Sequence, residues 1–134
     1  MLKIISAVTG LFMLALPALA DFQAGKDAYD RGDFAAALEE WRPLADEGDI
    51  FAQEKLGDIY ANDHGVPQDY ALAMKWYRLA ADQGDPFAQV DLGSMYLDGL
   101  GVAQDLDEAR KWYRLAADQG DAYALEKLAA IGQD

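Results

Sequence analysis

Residues 52–84 read AQEKLGDIYANDHGVPQDYALAMKWYRLAADQG and residues 88–120 read AQVDLGSMYLDGLGVAQDLDEARKWYRLAADQG, the same phrase displaced by 36 positions. The register extends to both sides. Gly48, Gly84 and Gly120 coincide, as do Asp49, Asp85 and Asp121, Ala52, Ala88 and Ala124, and Leu56, Leu92 and Leu128. Gly57 falls on Gly93, Tyr60 on Tyr96, Gly65 on Gly101, Asp69 on Asp105, Ala73 on Ala109, and Trp76, Tyr77 and Arg78 on Trp112, Tyr113 and Arg114. A period of about 20–50 residues marks a stacked architecture in which one unit cannot bury its apolar face without the next.

Each period holds two amphipathic helices. Ala52, Leu56, Ile59 and Tyr60 follow i, i+4, i+7, i+8 spacing, and Leu72, Ala73, Trp76, Tyr77 and Ala80 share one helical face. Asp49, Asp69, Asp85, Asp105 and Asp121 stand where N-caps are needed, Pro86 suits a first helical position, and Gly48, Gly84 and Gly120 suit left-handed helix ends. These signals predict helices over residues 22–31, 34–47, 50–62, 69–83, 86–97, 105–119 and 122–132, and no strands. The expected fold is all-α, a short solenoid of helix hairpins with units about 22–48, 49–84 and 85–120 and a closing helix within 121–134. Gly25 to Ala37 spans 12 residues where Gly57 to Ala73 and Gly93 to Ala109 span 16. The extra residues fall in the turn-rich stretches 63–68 and 99–104, read as longer loops inside the hairpins. A mid-helix glycine costs about 0.5–1 kcal/mol relative to alanine, so Gly57 and Gly93 predict close approach of the partner helix, with Ala73 and Ala109 as its small facing surface.

The chain has 134 residues, 52% of them hydrophobic and 26% charged, with no cysteine, which fits one domain stabilised by packing alone. A formal charge of -13, from 11 Lys and Arg against 24 Asp and Glu, repels phosphate backbones and weighs against nucleic acid as a partner. Beyond residue 20 there is one serine, Ser94, one histidine, His64, and no threonine or cysteine, so most nucleophilic chemistry has no residue to use. Residues 1–20 carry Lys3, an apolar run from Ile4 to Leu16, then Pro17 and the small-residue triplet Ala18, Leu19, Ala20, the layout of a secretory signal. Cleavage before Asp21 would leave residues 21–134 as the repeat domain, without stable membrane insertion, in a bacterial periplasm or outside the cell.

The stretches Ala52–Gly84 and Ala88–Gly120 resemble Sel-one-like repeats, carried in the first by Ala52, Leu56-Gly57, Tyr60, Gly65-Val66, Gln68-Asp69, Ala73, Trp76-Tyr77 and Ala80-Ala81. Gly25 to Gly48 is more similar to a tetratricopeptide hairpin, and Ala124 to Ala129 to the first helix of a further Sel-one-like unit. Asp63 departs from the family's glycine, present at Gly99, and Ala129 replaces the helix glycine, as a terminal cap would. The resemblance implies a right-handed α-solenoid, no cofactor, and a non-enzymatic adaptor or scaffold with a protein or peptide partner. It also implies a competing reading, a cell-wall-associated enzyme or wall-glycan binder.

Little in the sequence points to catalysis. Ser94 and His64 make no convincing dyad, and one histidine without cysteine is too few ligands for zinc. Calcium from Asp58, Asp63 or Asp98 lacks the EF-hand pattern, and carboxylate pairs carry no signal in so acidic a chain, so no metal site is expected. Trp41, Trp76 and Trp112 read as core, Trp41 aligning with Tyr77 and Tyr113. The sharper candidates are Phe51, Phe87 and Tyr123, one aromatic at the same place in each first helix. With the residues three and seven further on they give Phe51, Glu54 and Asp58, then Phe87, Val90 and Ser94, then Tyr123 and Glu126, a helical face distinct from Ala52, Leu56 and Tyr60. Similarity to tetratricopeptide units implies that this face is concave and receives peptides. Acidic charge beside aromatic anchors favours a partner segment with basic and apolar residues.

Overall fold

Aspartate carboxylates set where the helices begin. The computed structural model describes residues 16–63 and 65–132, with side chains from residue 21 on. The apolar run of the expected signal segment up to residue 15, the loop histidine His64 and the last two residues of the expected closing unit lie outside the described residues. In chain order the helices are α1 (Leu16–Asp30), α2 (Phe34–Asp46), α3 (Ile50–Ala61), α4 (Tyr70–Asp82), α5 (Pro86–Asp98), α6 (Leu106–Asp118) and α7 (Ala122–Ile131), with no strand among the described residues. Asp49, Asp85 and Asp121 each accept a 2.8 Å bond from the backbone N–H three residues on, and Asp33, Asp69 and Asp105 cap α2, α4 and α6 in the same way. Such a cap is worth about 0.5–2 kcal/mol.

The connection between hairpins is as short as a chain allows. Gly48, Gly84 and Gly120 sit at φ 102, 98 and 94°, conformations that favour glycine, and the next N–H, from the capping aspartate, bonds back to Leu44, Ala80 or Ala116. One Gly-Asp pair therefore ends a helix and starts the next. Inside the hairpins the longer loops fold onto the helix they leave: Asp69 N–H donates to the carbonyl of Tyr60 and Asp105 N–H to that of Tyr96, at 2.8 and 2.9 Å.

The described helix ends lie within about two residues of those expected, except that α1 runs back to Leu16 rather than starting at 22. Ala18, Leu19 and Ala20 are strong helix formers, so the helix carries through the Ala20–Asp21 junction where a domain boundary was expected.

Each helix packs chiefly on the helices before and after it, as a solenoid requires. One continuous core runs through the stack: Ala37, Trp41, Ala52, Leu56, Ala73, Tyr77, Ala88, Leu92, Ala109, Tyr113, Ala116 and Ala124 are all buried within it. A Cβ built on Gly57 would lie 2.5 Å from Cδ1 of Tyr77, and one on Gly93 would lie 2.9 Å from Cδ1 of Tyr113. At Gly25 it would collide with the indole of Trp41. The close approach expected at these glycines is present, but its partner is an aromatic ring rather than Ala73 or Ala109. The ring, four residues on from that alanine on the same helix face, supplies the atoms nearest the glycine.

Consecutive hairpins are clamped by pairs of amides, Gln53 and Gln89 buried and Gln83 and Gln119 at exposed helix ends. Gln53 donates to the carbonyl of Ala45 at 3.0 Å while its own oxygen accepts from Gln83 at 2.8 Å, and Gln83 also donates to Gly48. Gln89, Gln119, Ala81 and Gly84 repeat the arrangement one unit on. These bonds take up carbonyls at the ends of α2 and α4 that have no partner within the helix. Arg78 adds a second tie, donating to the Tyr96 hydroxyl at 3.0 Å with its guanidinium carbon 5.1 Å from the centre of the Trp112 ring.

Gly57→Ala and Gly93→Ala should each destabilise the fold by about 1–3 kcal/mol, the usual range for overpacking, with the larger loss at Gly57 where the space is tighter. An exposed helix glycine gains about 0.5–1 kcal/mol from the same change. Chemical denaturation decides, and a variant as stable as the parent would show that the rings yield freely.

Candidate functional site

The first helices α3, α5 and α7 show solvent a face that the core stripe does not use. On it Phe51, Phe87 and Tyr123 are 40, 64 and 47% exposed. They are not equivalent. The Phe51 ring lies 5.4 Å from those of both Phe22 and Trp41, so it also closes the seam between the first two hairpins. Phe87 has no such ring contacts among the described residues, and Tyr123 carries the ammonium of Lys127 5.0 Å above its ring.

Phe51 and Phe87 line one groove of about 430 Å³ together with Ile50, Glu54, Lys55 and Asp85. A second depression, of about 330 Å³, is lined by residues including Asp58, Asn62, Tyr77, Asp91 and Ser94. The two meet at a knot of charge, where carboxylate oxygens of Glu54, Asp58 and Asp91 all lie within 4.8 Å of one another. Lys55 extends its ammonium to Glu54 and Asp58, 3.1 Å from each, and sits 5.6 and 5.7 Å from the ring centres of Phe51 and Tyr29. Tyr77, whose ring covers Gly57, donates its hydroxyl to Asp58 at 2.7 Å. In the next unit Ser94 and Tyr113 share a 2.8 Å hydrogen bond at the corresponding place. The Asp91 carboxylate makes no hydrogen bond or ion pair among the described residues.

One lysine thus faces three carboxylates, and the electrostatics follow. Burial pushes Glu54 up to about 7, reinforced by repulsion from Asp58 and opposed by Lys55. Burial likewise pushes Asp91 up to about 7, with Asp58 and Glu54 adding repulsion. For Lys55 burial acts downward, but Asp58 and Glu54 outweigh it and hold the ammonium above its ordinary range. Burial, then Asp91 and Asp58, raises the Tyr77 phenol, which keeps its proton for Asp58.

Of the residues singled out in the sequence, Phe51, Glu54 and Phe87 share the first groove, and Asp58 and Ser94 share the second. Val90 is half-buried against the core, and Tyr123 and Glu126 are exposed on α7, lining neither groove. Lys55, Asp91 and Tyr77 complete the arrangement and were missed. Lys55 and Asp91 stand four residues after Phe51 and Phe87, and the i+4 position adjoins an aromatic as closely as i+3 does. Asp58 groups with Glu54 and Asp91 instead of Asp63 or Asp98, the calcium ligands weighed for it. These three carboxylates are the described groups able to hold a cation, and the Lys55 ammonium already lies between two of them. The Ser94 hydroxyl is engaged with that of Tyr113, and Ser94 shares its depression with the carboxylates of Asp58 and Asp91.

Asp91 titrates near 7 in the fold against an ordinary 3.8, so its charged form opposes folding and this burden grows as pH rises between those values. Asp91→Asn should therefore stabilise the protein most at pH 8. The advantage should shrink as pH falls below about 7 and vanish below about 4. Denaturation midpoints of both chains across this range test the sign, and an asparagine variant less stable at pH 8 would contradict it.

The Sel1 repeat profile matches residues 50–85 and 86–121, more than half of the chain. The structure is similar to that of c5321, a protective antigen present in uropathogenic Escherichia coli strains and displaying an SLR fold, at 34% identity and TM-score 0.79. That match covers 85% of this chain and 25% of the E. coli protein, so this chain spans only a quarter of that protein's length. It is also similar to a Sel1 repeat protein from Oxalobacter formigenes, at 37% identity and TM-score 0.74, over 84% of this chain and 88% of that one. No curated protein matches the sequence. Sel1 repeat proteins are generally protein-interaction modules, typically non-enzymatic scaffolds. No helix among the described residues is long and apolar enough to cross a membrane. The paired glycine-ring hairpins and the two matched repeats together place the chain in the Sel1 repeat family.

Proposed function

We propose that this protein is an exported, non-enzymatic interaction module that holds a protein or peptide partner along the concave face formed by α3, α5 and α7. The observation that carries this reading is the exposure of Phe51, Phe87 and Tyr123, 40, 64 and 47%, beside an apolar groove. Isolated apolar residues on a surface need no explanation, but aromatics recurring at one position of a repeat, with room between two of them, are what recognition anchors require. The carboxylates next to them favour a partner with basic as well as apolar residues. Export rests on the layout of residues 1–20. Cleavage after Ala20 would leave Phe22, whose carbonyl accepts the Trp41 indole N–H at 3.1 Å, and Gly25, which makes room for that indole.

A photoactivatable residue at position 87 should capture a partner in intact cells, while one at Leu79, exposed on α4 and lining neither groove, should not. Phe87→Ser with Tyr123→Ser should remove capture and keep the helical signal, whereas Phe51→Ser should also lower the melting temperature, because its ring packs on Phe22 and Trp41. Capture that survives the double change moves the partner off this face.

Mass spectrometry of the protein recovered outside the cytoplasm should find Asp21 at the N-terminus, and an intact Met1 there would sink the leader-peptide reading.

A further inference from the structure

The two Sel1 repeats are copies in their cores and differ where they border the groove. Lys75 to Gly84 and Lys111 to Gly120 are identical, and Ala52, Leu56, Gly57 and Tyr60 return as Ala88, Leu92, Gly93 and Tyr96. Against this background Glu54 is replaced by Val90, Lys55 by Asp91 and Asp58 by Ser94. The exchange gathers Glu54, Asp58 and Asp91 within 4.8 Å at one end of the groove between Phe51 and Phe87, and among the described residues gives that end a single cation, Lys55. Packing of the stack does not demand this charge, since Val90 and Ser94 serve the same helix positions one unit on.

Building on the interaction face argued above, we propose that the groove between Phe51 and Phe87 takes a segment presenting an arginine or lysine beside an apolar residue. The apolar side chain lies between the two rings and the cation reaches Glu54, Asp58 and Asp91. Charge complementarity selects this occupant. Above about pH 7, where all three are ionised, Lys55 balances one carboxylate charge of three, and the Asp91 carboxylate has no hydrogen-bond or ion-pair partner among the described residues, so a second cation satisfies what the free protein leaves unbalanced. An arginine fits best, because its guanidinium offers five donors in a plane and can engage separate carboxylates together. A neutral or acidic segment would fill the groove and leave the carboxylates repelling one another.

Among the described residues the ionisable groups around this point are Glu54, Lys55 and Asp58 of α3, Tyr70 and Tyr77 of α4, Asp85 and Asp91 at and on α5, and Tyr29 of α1. Burial and mutual repulsion bring Glu54 and Asp91 up to about 7, so both gain protons as pH falls through neutrality and the attraction for a guest cation fades. Acid therefore favours the empty fold and disfavours the filled groove, opposite signs that can be measured separately.

The test is a selection of random peptides displayed on phage against the full chain, followed by calorimetry with the best peptide, synthesised with blocked ends. Enrichment of Arg or Lys next to an apolar residue is expected. The peptide should bind about tenfold or more weakly at pH 6 than at pH 8 and lose a similar factor in Asp91→Asn. That variant is the informative one, because it is expected to be more stable than the parent at pH 8, so lost binding cannot come from lost folding. Peptides that need Phe87 but carry no cation, and that bind Asp91→Asn unchanged, would overturn this proposal and leave the interaction face standing. Peptides indifferent to Phe87→Ser, or no enrichment at all, would overturn both. Stabilisation by calcium that Asp91→Asn abolishes, without a cation in the selected peptides, would make the carboxylates an ion site and overturn the proposal as well.

Discussion

An aromatic ring set against a bare stretch of helix backbone is the contact on which this molecule depends. Tyr77 covers Gly57, Tyr113 covers Gly93 and Trp41 covers Gly25, so all three hairpins close on the same device with either a phenol or an indole. The device also fixes what lies next to it. Because Asp58 follows Gly57 and Ser94 follows Gly93, a ring placed over the glycine delivers its hydroxyl to the neighbouring side chain, at 2.7 Å in one unit and 2.8 Å in the next. Core and surface are thereby coupled. The tyrosine that packs the hairpin orients a carboxylate of the charged knot, and any change that lets the ring slide would disturb both.

The hairpins, their order and most helix ends are written in local chemistry, which is why they could be read from the sequence. An aspartate bonding three residues ahead and a glycine at a left-handed helix end involve only near neighbours, and a repeat of 36 positions shows itself by comparison of the chain with itself. What joins one hairpin to the next was harder to see. Gln53 reaches back to Ala45 and Gln83 to Gly48 while the two amides meet each other across 30 positions, and nothing in either residue's surroundings along the chain announces these bonds. Their recurrence at Gln89 and Gln119 was the available sign. The candidate face was legible in part. Helical spacing found Phe51, Glu54, Asp58 and Phe87, but the meeting of Asp58 with Asp91 depends on how α5 stacks on α3 and α4. The unequal roles of Phe51 and Phe87 likewise depend on the first hairpin being the only one with Phe22 and Trp41 beside its successor.

The charged knot shows how a repeat protein acquires a local character without altering its frame. Two adjacent units share a backbone and a core, and three exchanged side chains are enough to give one junction a concentration of negative charge. Its carboxylates are held partly out of water, where repulsion is strong, so the free fold carries an electrostatic burden that the remaining packing has to outweigh. The aromatic seam of Phe22, Trp41 and Phe51 holds α3 to the first hairpin and the Gln89 amide holds α5 to the end of α4, so the burden falls where the stack is well braced.

The Gly-Asp joint has a consequence for how such a chain can lengthen. Each joint closes one helix and opens the next within two residues, and the amide clamp beside it draws both partners from the units it connects. A junction built entirely from positions that every full unit supplies is self-propagating. Duplicating residues 49–84 in tandem recreates the same joint, the same clamp and the same covered ring, with no sequence that must be invented at the boundary. Growth by whole units is then nearly neutral for folding, whereas gaining or losing a single residue at a joint breaks the register of everything beyond it. Length variation of the smaller kind is confined to the loops within hairpins, where the first unit makes its turn at Gly32 and the later ones take the longer path through Val66 and Val102.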